Sequence, residues 1–488
     1  MMTITRHFVD VGGRRVHYRR SGSGPPVVLL HESPRSSAAL IPLLQRLGDG
    51  LTGFALDTPG YGQSDALPME RPEIADFADA VAATMAAIGI AGAPVYGTHT
   101  GASIALECAV RRPARCCAAV LDGFPVFSHR EQAEYLAHYL PPFRPAIDGT
   151  HLAWLWARVR DQFLFFPWNR RGEAARLWRP LPDATFLTGV ALDFLRAGDF
   201  YRVGYAAAFR HRPQTSLAAL AVPTVIGARE DDLLFSHLER MPALPDCVAI
   251  DRFSRDRDLW GATLRTHFHR LATGTSPPPD HAALPDARIG STYVDLPHGQ
   301  LHVQGAFGGE GRPVVLIHPS PGGSAYWFDT LQRLAGRRPV LAVDLPGHGD
   351  SDPVDAPDLI NLVEILDAAL EKLGIDEAEI RGAGTGAVVA QALQRHNAQN
   401  YPELTLIDPP GEGAGVPLAH PVGLEGGHLM AAWHHVRDEA ILGPWCARPG
   451  LHRFGDELDV AAIHRCSVDM LKAPVDTVLL KNLLRAGT

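Results

Sequence analysis

Gly97-Thr98-His99-Thr100-Gly101 and Gly382-Ala383-Gly384-Thr385-Gly386 carry the reading of this chain. Each follows a short apolar run and precedes a stretch with helical spacing. The pattern Gly-x-Ser-x-Gly marks a sharp strand-turn-helix bend that lifts its central side chain out of the turn. The central position here holds His99 in one copy and Gly384 in the other. A non-glycine residue at such a bend carries strain of roughly 1–3 kcal/mol. Glycine relieves it, which suits a copy kept for structure, whereas His99 keeps a titratable ring at the apex.

Working outward, the chain repeats itself. Pro26-Val27-Val28-Leu29-Leu30-His31 matches Pro313-Val314-Val315-Leu316-Ile317-His318. Asp57-Thr58-Pro59-Gly60-Tyr61-Gly62 matches Asp344-Leu345-Pro346-Gly347-His348-Gly349, and Leu121-Asp122-Gly123 matches Ile407-Asp408-Pro409. Further on, Gly149-Thr150-His151-Leu152 leads to Trp156 and Pro167-Trp168, and Gly426-Gly427-His428-Leu429 leads to Trp433 and Pro444-Trp445. Both His-to-Trp spacings, 151 to 168 and 428 to 445, are seventeen residues. The first copy continues through the β-branched run Thr224-Val225-Ile226, to which the second copy shows no counterpart. Domains are therefore expected at 1–273 and 291–488, joined by a Pro-rich linker at 274–290.

A chain of 488 residues exceeds one ordinary core. It is 46% hydrophobic and 20% charged, as globular proteins are. Its net charge of −9 shows no long basic or acidic run, which argues against nucleic acid or an anionic membrane as partner. No apolar stretch has transmembrane length and no leader is visible at the N-terminus. The six cysteines lack paired spacing, so reduced thiols and a cytoplasmic location are expected.

Apolar runs at Val27–Leu30, Phe54–Leu56, Pro94–Tyr96 and Ala118–Leu121 alternate with helical spacing over Glu73–Ile88 and Ala102–Val110. Such alternation predicts an α/β fold with a mainly parallel sheet. In these sheets ligands bind beyond the carboxyl ends of the strands, where His31, Asp57 and His99 fall.

His31-Glu32-Ser33-Pro34, Asp57-Thr58-Pro59-Gly60-Tyr61-Gly62-Gln63-Ser64 and the bend at 97–101, with their second copies, resemble the α/β-hydrolase fold superfamily. The resemblance implies two tandem α/β-hydrolase-like domains, each with helices on both faces of its sheet and a helical lid. The lid would span about 126–213 in the first domain and begin at Gly411 in the second, which is truncated after it.

The resemblance also implies site roles. His99 stands at the nucleophile position, where it can serve as base or covalent acceptor. The orienting acid would be Asp232, or Asp231 one register away. The amides of Ser33 and Thr100 would form the oxyanion site. Glu32 replaces the usual glycine and either orients His99 or bonds its own loop. His151, Trp154 and Trp156 on the lid would face a hydrophobic substrate, or else pack within the lid. The family's histidine after the eighth strand is missing from Asp251–Asp258.

These readings imply an enzyme acting on a small to medium hydrophobic carbonyl or ester-type substrate, without cofactor or metal, the second domain serving as scaffold. A non-hydrolytic lyase, decarboxylase or isomerase is the alternative, and a non-catalytic binding or scaffold protein the third. A second domain that stops early leaves a sheet edge, which invites homo-oligomerisation or intramolecular pairing of the two domains.

Overall fold

A computed structural model describes residues 3–48, 50–279, 282–355, 357–409, 421–442 and 458–472. The chain divides into two compact units. Unit 1 holds residues 1–144, 158–182 and 189–282, and unit 2 holds residues 145–157, 183–188 and 283–488.

Unit 1 is built on an eight-stranded sheet. Its strands are β1 (Ile4–Val11), β2 (Arg14–Gly22), β3 (Pro26–Leu30), β4 (Thr52–Leu56), β5 (Ala93–Thr98), β6 (Cys116–Asp122), β7 (Thr224–Arg229) and β8 (Val248–Phe253), in the order β1-β2-β4-β3-β5-β6-β7-β8. β1, β2 and β4 pair antiparallel, and every pair from β4 to β8 is parallel. Parallel strands covered on both faces need uninterrupted apolar runs. Val27 to Leu30 accordingly have no exposed surface. Cys116 and Cys117 open β6.

The helix Thr100–Arg111 packs against β5 and β6, and Ile74–Ile88 packs on that helix and on β1, within one core cluster. Leu43, Leu44, Trp260, Leu264 and Phe268 pack on the opposite sheet face. Between β6 and β7 the chain forms several helices, among them Thr150–Leu164, Ala184–Ala197 and Tyr201–Arg210.

Unit 2 carries β9 (Gly290–Leu296), β10 (Gly299–Ala306), β11 (Val314–Ile317), β12 (Val340–Val343), β13 (Glu379–Ala383) and β14 (Glu403–Ile407), in the order β14-β13-β11-β12-β10-β9. Among the described residues its sheet has six strands, ending at β14. No described helix is long and apolar enough to cross a membrane. Gly411 and Pro444-Trp445 lie outside the described residues.

Candidate active site

The bend after β5 is tight because its glycines let backbones meet. A Cβ on Gly97 would stand 2.0 Å from the Gly101 oxygen, and one on Gly101 would stand 2.4 Å from the Leu30 oxygen. Between them His99 adopts φ 49° and ψ −109°, in the positive-φ region that disfavours side chains. The His99 amide donates to the Asp122 carbonyl at 3.0 Å, fixing the bend against β6.

Among the described residues, one lies within hydrogen-bond distance of the His99 ring. Its Nε2 stands 3.0 and 3.1 Å from the two carboxylate oxygens of Asp232. Asp232 follows β7, and its Oδ1 also accepts the Leu234 amide at 2.8 Å. This leaves Nδ1 as the ring atom available to a ligand or water. Although neighbouring atoms strip much water from the ring, 26% of the side chain remains exposed. The ring is therefore reachable by solvent.

Burial alone would lower the pKa of His99. The charge and hydrogen bond of Asp232, followed by the charges of Glu32 and Asp122, overcome that and push it up to about 9. Burial opposes the charge on Asp232 too, but the His99 cation and the Leu234 amide hold its carboxyl down at about 2. At neutral pH the pair is therefore an imidazolium beside a carboxylate. Asp122 lies behind it, accepting Tyr96 Oη at 2.9 Å and Trp260 Nε1 at 3.0 Å on one oxygen. Burial, then repulsion from Asp232, pushes Asp122 up to about 6.

The other sequence-derived residues divide clearly. Asp231 is turned outward, its side chain 42% exposed and paired with Arg229 at 2.9 Å. Of the two aspartates, Asp232 is therefore the one at His99. Glu32 is 30% exposed and 3.9 Å from Arg35, whose guanidinium is held more closely by Asp193 at 2.7 Å. Ser33 and Thr100 are both buried, with Thr100 opening the helix Thr100–Arg111. His31 braces this loop: Nδ1 donates to the Glu32 carbonyl at 2.9 Å, and Nε2 accepts the Thr58 amide at 3.0 Å.

His151 and Trp156 belong to unit 2, not to the unit that holds His99. Both are buried among residues of unit 2, where His151 packs edge-on against Trp433 and Trp156 Nε1 donates to the Leu424 carbonyl. Trp154 is in the same segment and is partly exposed. The reason is periodicity: 151, 152, 155 and 156 form one stripe of the helix Thr150–Leu164, and that stripe is the buried one.

Sequence reading also passes over Gly123. It has φ 58°, and a Cβ there would stand 2.5 Å from His99 Cδ2 and 3.2 Å from Asp232 Oδ1. The second copy has Pro409 at this place, a difference that was available as a signal. Tyr205 is partly exposed on the helix Tyr201–Arg210, its ring against Tyr139 and Phe209. Burial and the charges of nearby groups, Glu32 among them, raise its hydroxyl pKa well above the usual range.

Unit 2 repeats the bend without the chemistry. Gly384 has φ 52° and ψ −128° and offers no side chain. The Ser320 amide, counterpart of the Ser33 amide, donates to Thr385 Oγ1 at 2.7 Å. Among the described residues no such bond joins Ser33 and Thr100. Side chains of His302, Asp344 and Asp350 come together elsewhere in unit 2. His302 holds Asp344 at 2.7 Å and Lys472 holds Asp350 at 3.0 Å, so internal partners already serve the group.

The α/β-hydrolase-fold family model matches residues 25–247, and an α/β-hydrolase family model matches residues 314–480. The chain is a tandem member of the α/β-hydrolase superfamily. Over 128 residues this tandem protein is 30% identical to 2-(acetamidomethylene)succinate hydrolase of Mesorhizobium japonicum, covering 26% of this chain and 46% of that one. Over 142 residues it is 34% identical to haloalkane dehalogenase of Agrobacterium fabrum, covering 29% and 45%. The chain thus spans less than half the length of these curated relatives. An epoxide hydrolase from an endophytic Streptomyces superposes with a TM-score of 0.45 at 19% identity, covering 55% of this chain and 94% of that one.

Proposed function

We propose that unit 1 is an enzyme acting on a small to medium hydrophobic substrate with a carbonyl or ester-type group, and that His99 and Asp232 are its reacting pair. The observation that carries this reading is a strained, solvent-reachable His99 whose Nε2 is engaged by Asp232 and whose Nδ1 is left available. The bend itself belongs to the fold, and a titratable side chain kept at its strained apex, where unit 2 has glycine, supports a functional role. In its neutral form the ring takes a proton from water through Nδ1 while Asp232 steadies the imidazolium that results. The Ser33 and Thr100 amides receive the oxyanion that develops as the water attacks. Gly384 and the Thr385 hydroxyl on the Ser320 amide support a scaffold role for unit 2.

The high pKa of His99 favours a second reading. A ring already protonated at neutral pH is a proton donor and an anion partner, as a lyase, decarboxylase or isomerase requires. Turnover of a panel of short aryl esters and β-keto acids by wild type and His99→Gln tests both readings. Loss of at least a hundredfold with the fold intact supports a reacting His99, and unchanged turnover rejects it. Incorporation of ¹⁸O from labelled water marks the hydrolytic reading.

A further inference from the structure

Within unit 2 the segments Ile147–Trp156 and Leu424–Trp433 contact each other reciprocally. Each residue of the second segment stands 277 positions after its counterpart in the first, so Leu424 corresponds to Ile147, Gly426 to Gly149, His428 to His151 and Trp433 to Trp156. Trp156 Nε1 donates to the Leu424 carbonyl at 2.8 Å, and Trp433 Nε1 donates to the Ile147 carbonyl at 3.2 Å. The His151 ring packs edge-on against Trp433 at 4.6 Å, and the His428 ring against Trp156 at 5.1 Å.

The two glycines complete the exchange. Gly149 and Gly426 have φ 78° and 79°, and a Cβ on either would meet the opposite tryptophan at Cδ1, at 2.9 and 2.4 Å respectively. Three contacts of each tryptophan thus recur with the partners exchanged. That is the signature of an isologous contact, in which one patch meets a second copy of itself.

We infer that Gly-x-His-Leu-x-x-x-Trp is a self-recognition element whose partner is another copy of the same segment, here supplied by the duplication. The motif was retained in both copies because each copy seats the tryptophan of the other. The contact is geometric and aromatic rather than ionic. Burial lowers the pKa of both rings, that of His151 to about 4, and so disfavours charge on either.

The test exchanges the halves in the full chain. One chimera carries the sequence of Leu424–Trp433 at 147–156, and the other carries the sequence of Ile147–Trp156 at 424–433. Trp156→Ala with Trp433→Ala, in a third chain, measures the cost of losing the contact. A self-complementary element leaves both chimeras folded, with melting temperatures within about 3 °C of wild type, and the alanine variant lower by about twice that or more. A chimera that melts as low as the alanine variant, or fails to fold, overturns the inference, and so does tolerance of one exchange without the other. Amide exchange adds a second readout. Trp156→Phe and Trp433→Phe should each speed exchange in both segments by the same factor, and a change confined to the substituted helix contradicts reciprocity.

Discussion

His99 and Asp232 face each other at 3.0 Å beside Gly123, the residue whose missing side chain lets them meet. Replacing Gly123 by alanine sets a methyl group 2.5 Å from His99 Cδ2 and 3.2 Å from Asp232 Oδ1, at φ 58°. The ring must turn or retreat. A displacement of about 1 Å at a reacting group can cost about a hundredfold in rate. Gly123→Ala should therefore lose turnover by that order while far-UV circular dichroism stays as in wild type. Wild-type turnover in this variant contradicts the assigned geometry.

The same pair fixes the pH dependence of activity. With His99 as a base, kcat/KM rises about tenfold per pH unit and levels near pH 9, where its pKa lies. With His99 as an acid, the rate is level through neutrality and falls above about 9. Asp232→Asn removes the charge that raises the ring, so in either case the break moves down toward the ordinary 6.5. A break that ignores this substitution belongs to another group.

Stability follows from linkage. The folded pKa of His99 is raised, so its contribution is fully present below 6.5 and is lost as pH climbs through about 9. The folded pKa of Asp232 is depressed, so its contribution is present above 3.8 and is lost as pH falls through about 2. Melting temperature should therefore fall between pH 6.5 and 9.5 in wild type. His99→Gln should flatten that slope, which differential scanning calorimetry can follow.

Unit 2 offers a control. Gly384→Ser rebuilds the usual bend sequence at φ 52°, with a Cβ 3.0 Å from Pro319 Cβ. The expected result is a loss of about 1–3 kcal/mol in stability, from urea unfolding, and no new esterase activity. The Thr385 hydroxyl already accepts the amide that an oxyanion would need. New turnover would show that unit 2 keeps a working oxyanion site.

Much of the fold was legible because its strongest signals are local. Glycines that no other residue can replace, as at 97 and 101, and fully apolar strands such as 27–30 carry their structural reasons in the sequence itself. The sequence put Asp232 ahead of Asp231 without deciding between them, since the choice depends on how the turn after β7 aims two adjacent carboxylates. What packs against His151 and Trp156 was not legible either. Helical spacing shows that a stripe is apolar and leaves open what covers it, and the covering residues lie some 270 positions away in sequence. Gly123 escaped for the same reason: its role depends on two side chains converging over it from different strands.

The most direct measurement is an NMR titration of the histidine Cε1–H resonances in the full chain, with His99 assigned from His99→Gln. The account predicts a His99 pKa near 9 that drops toward 6.5 in Asp232→Asn. A His99 that titrates at or below 6.5 in wild type, unmoved by the substitution at 232, contradicts it.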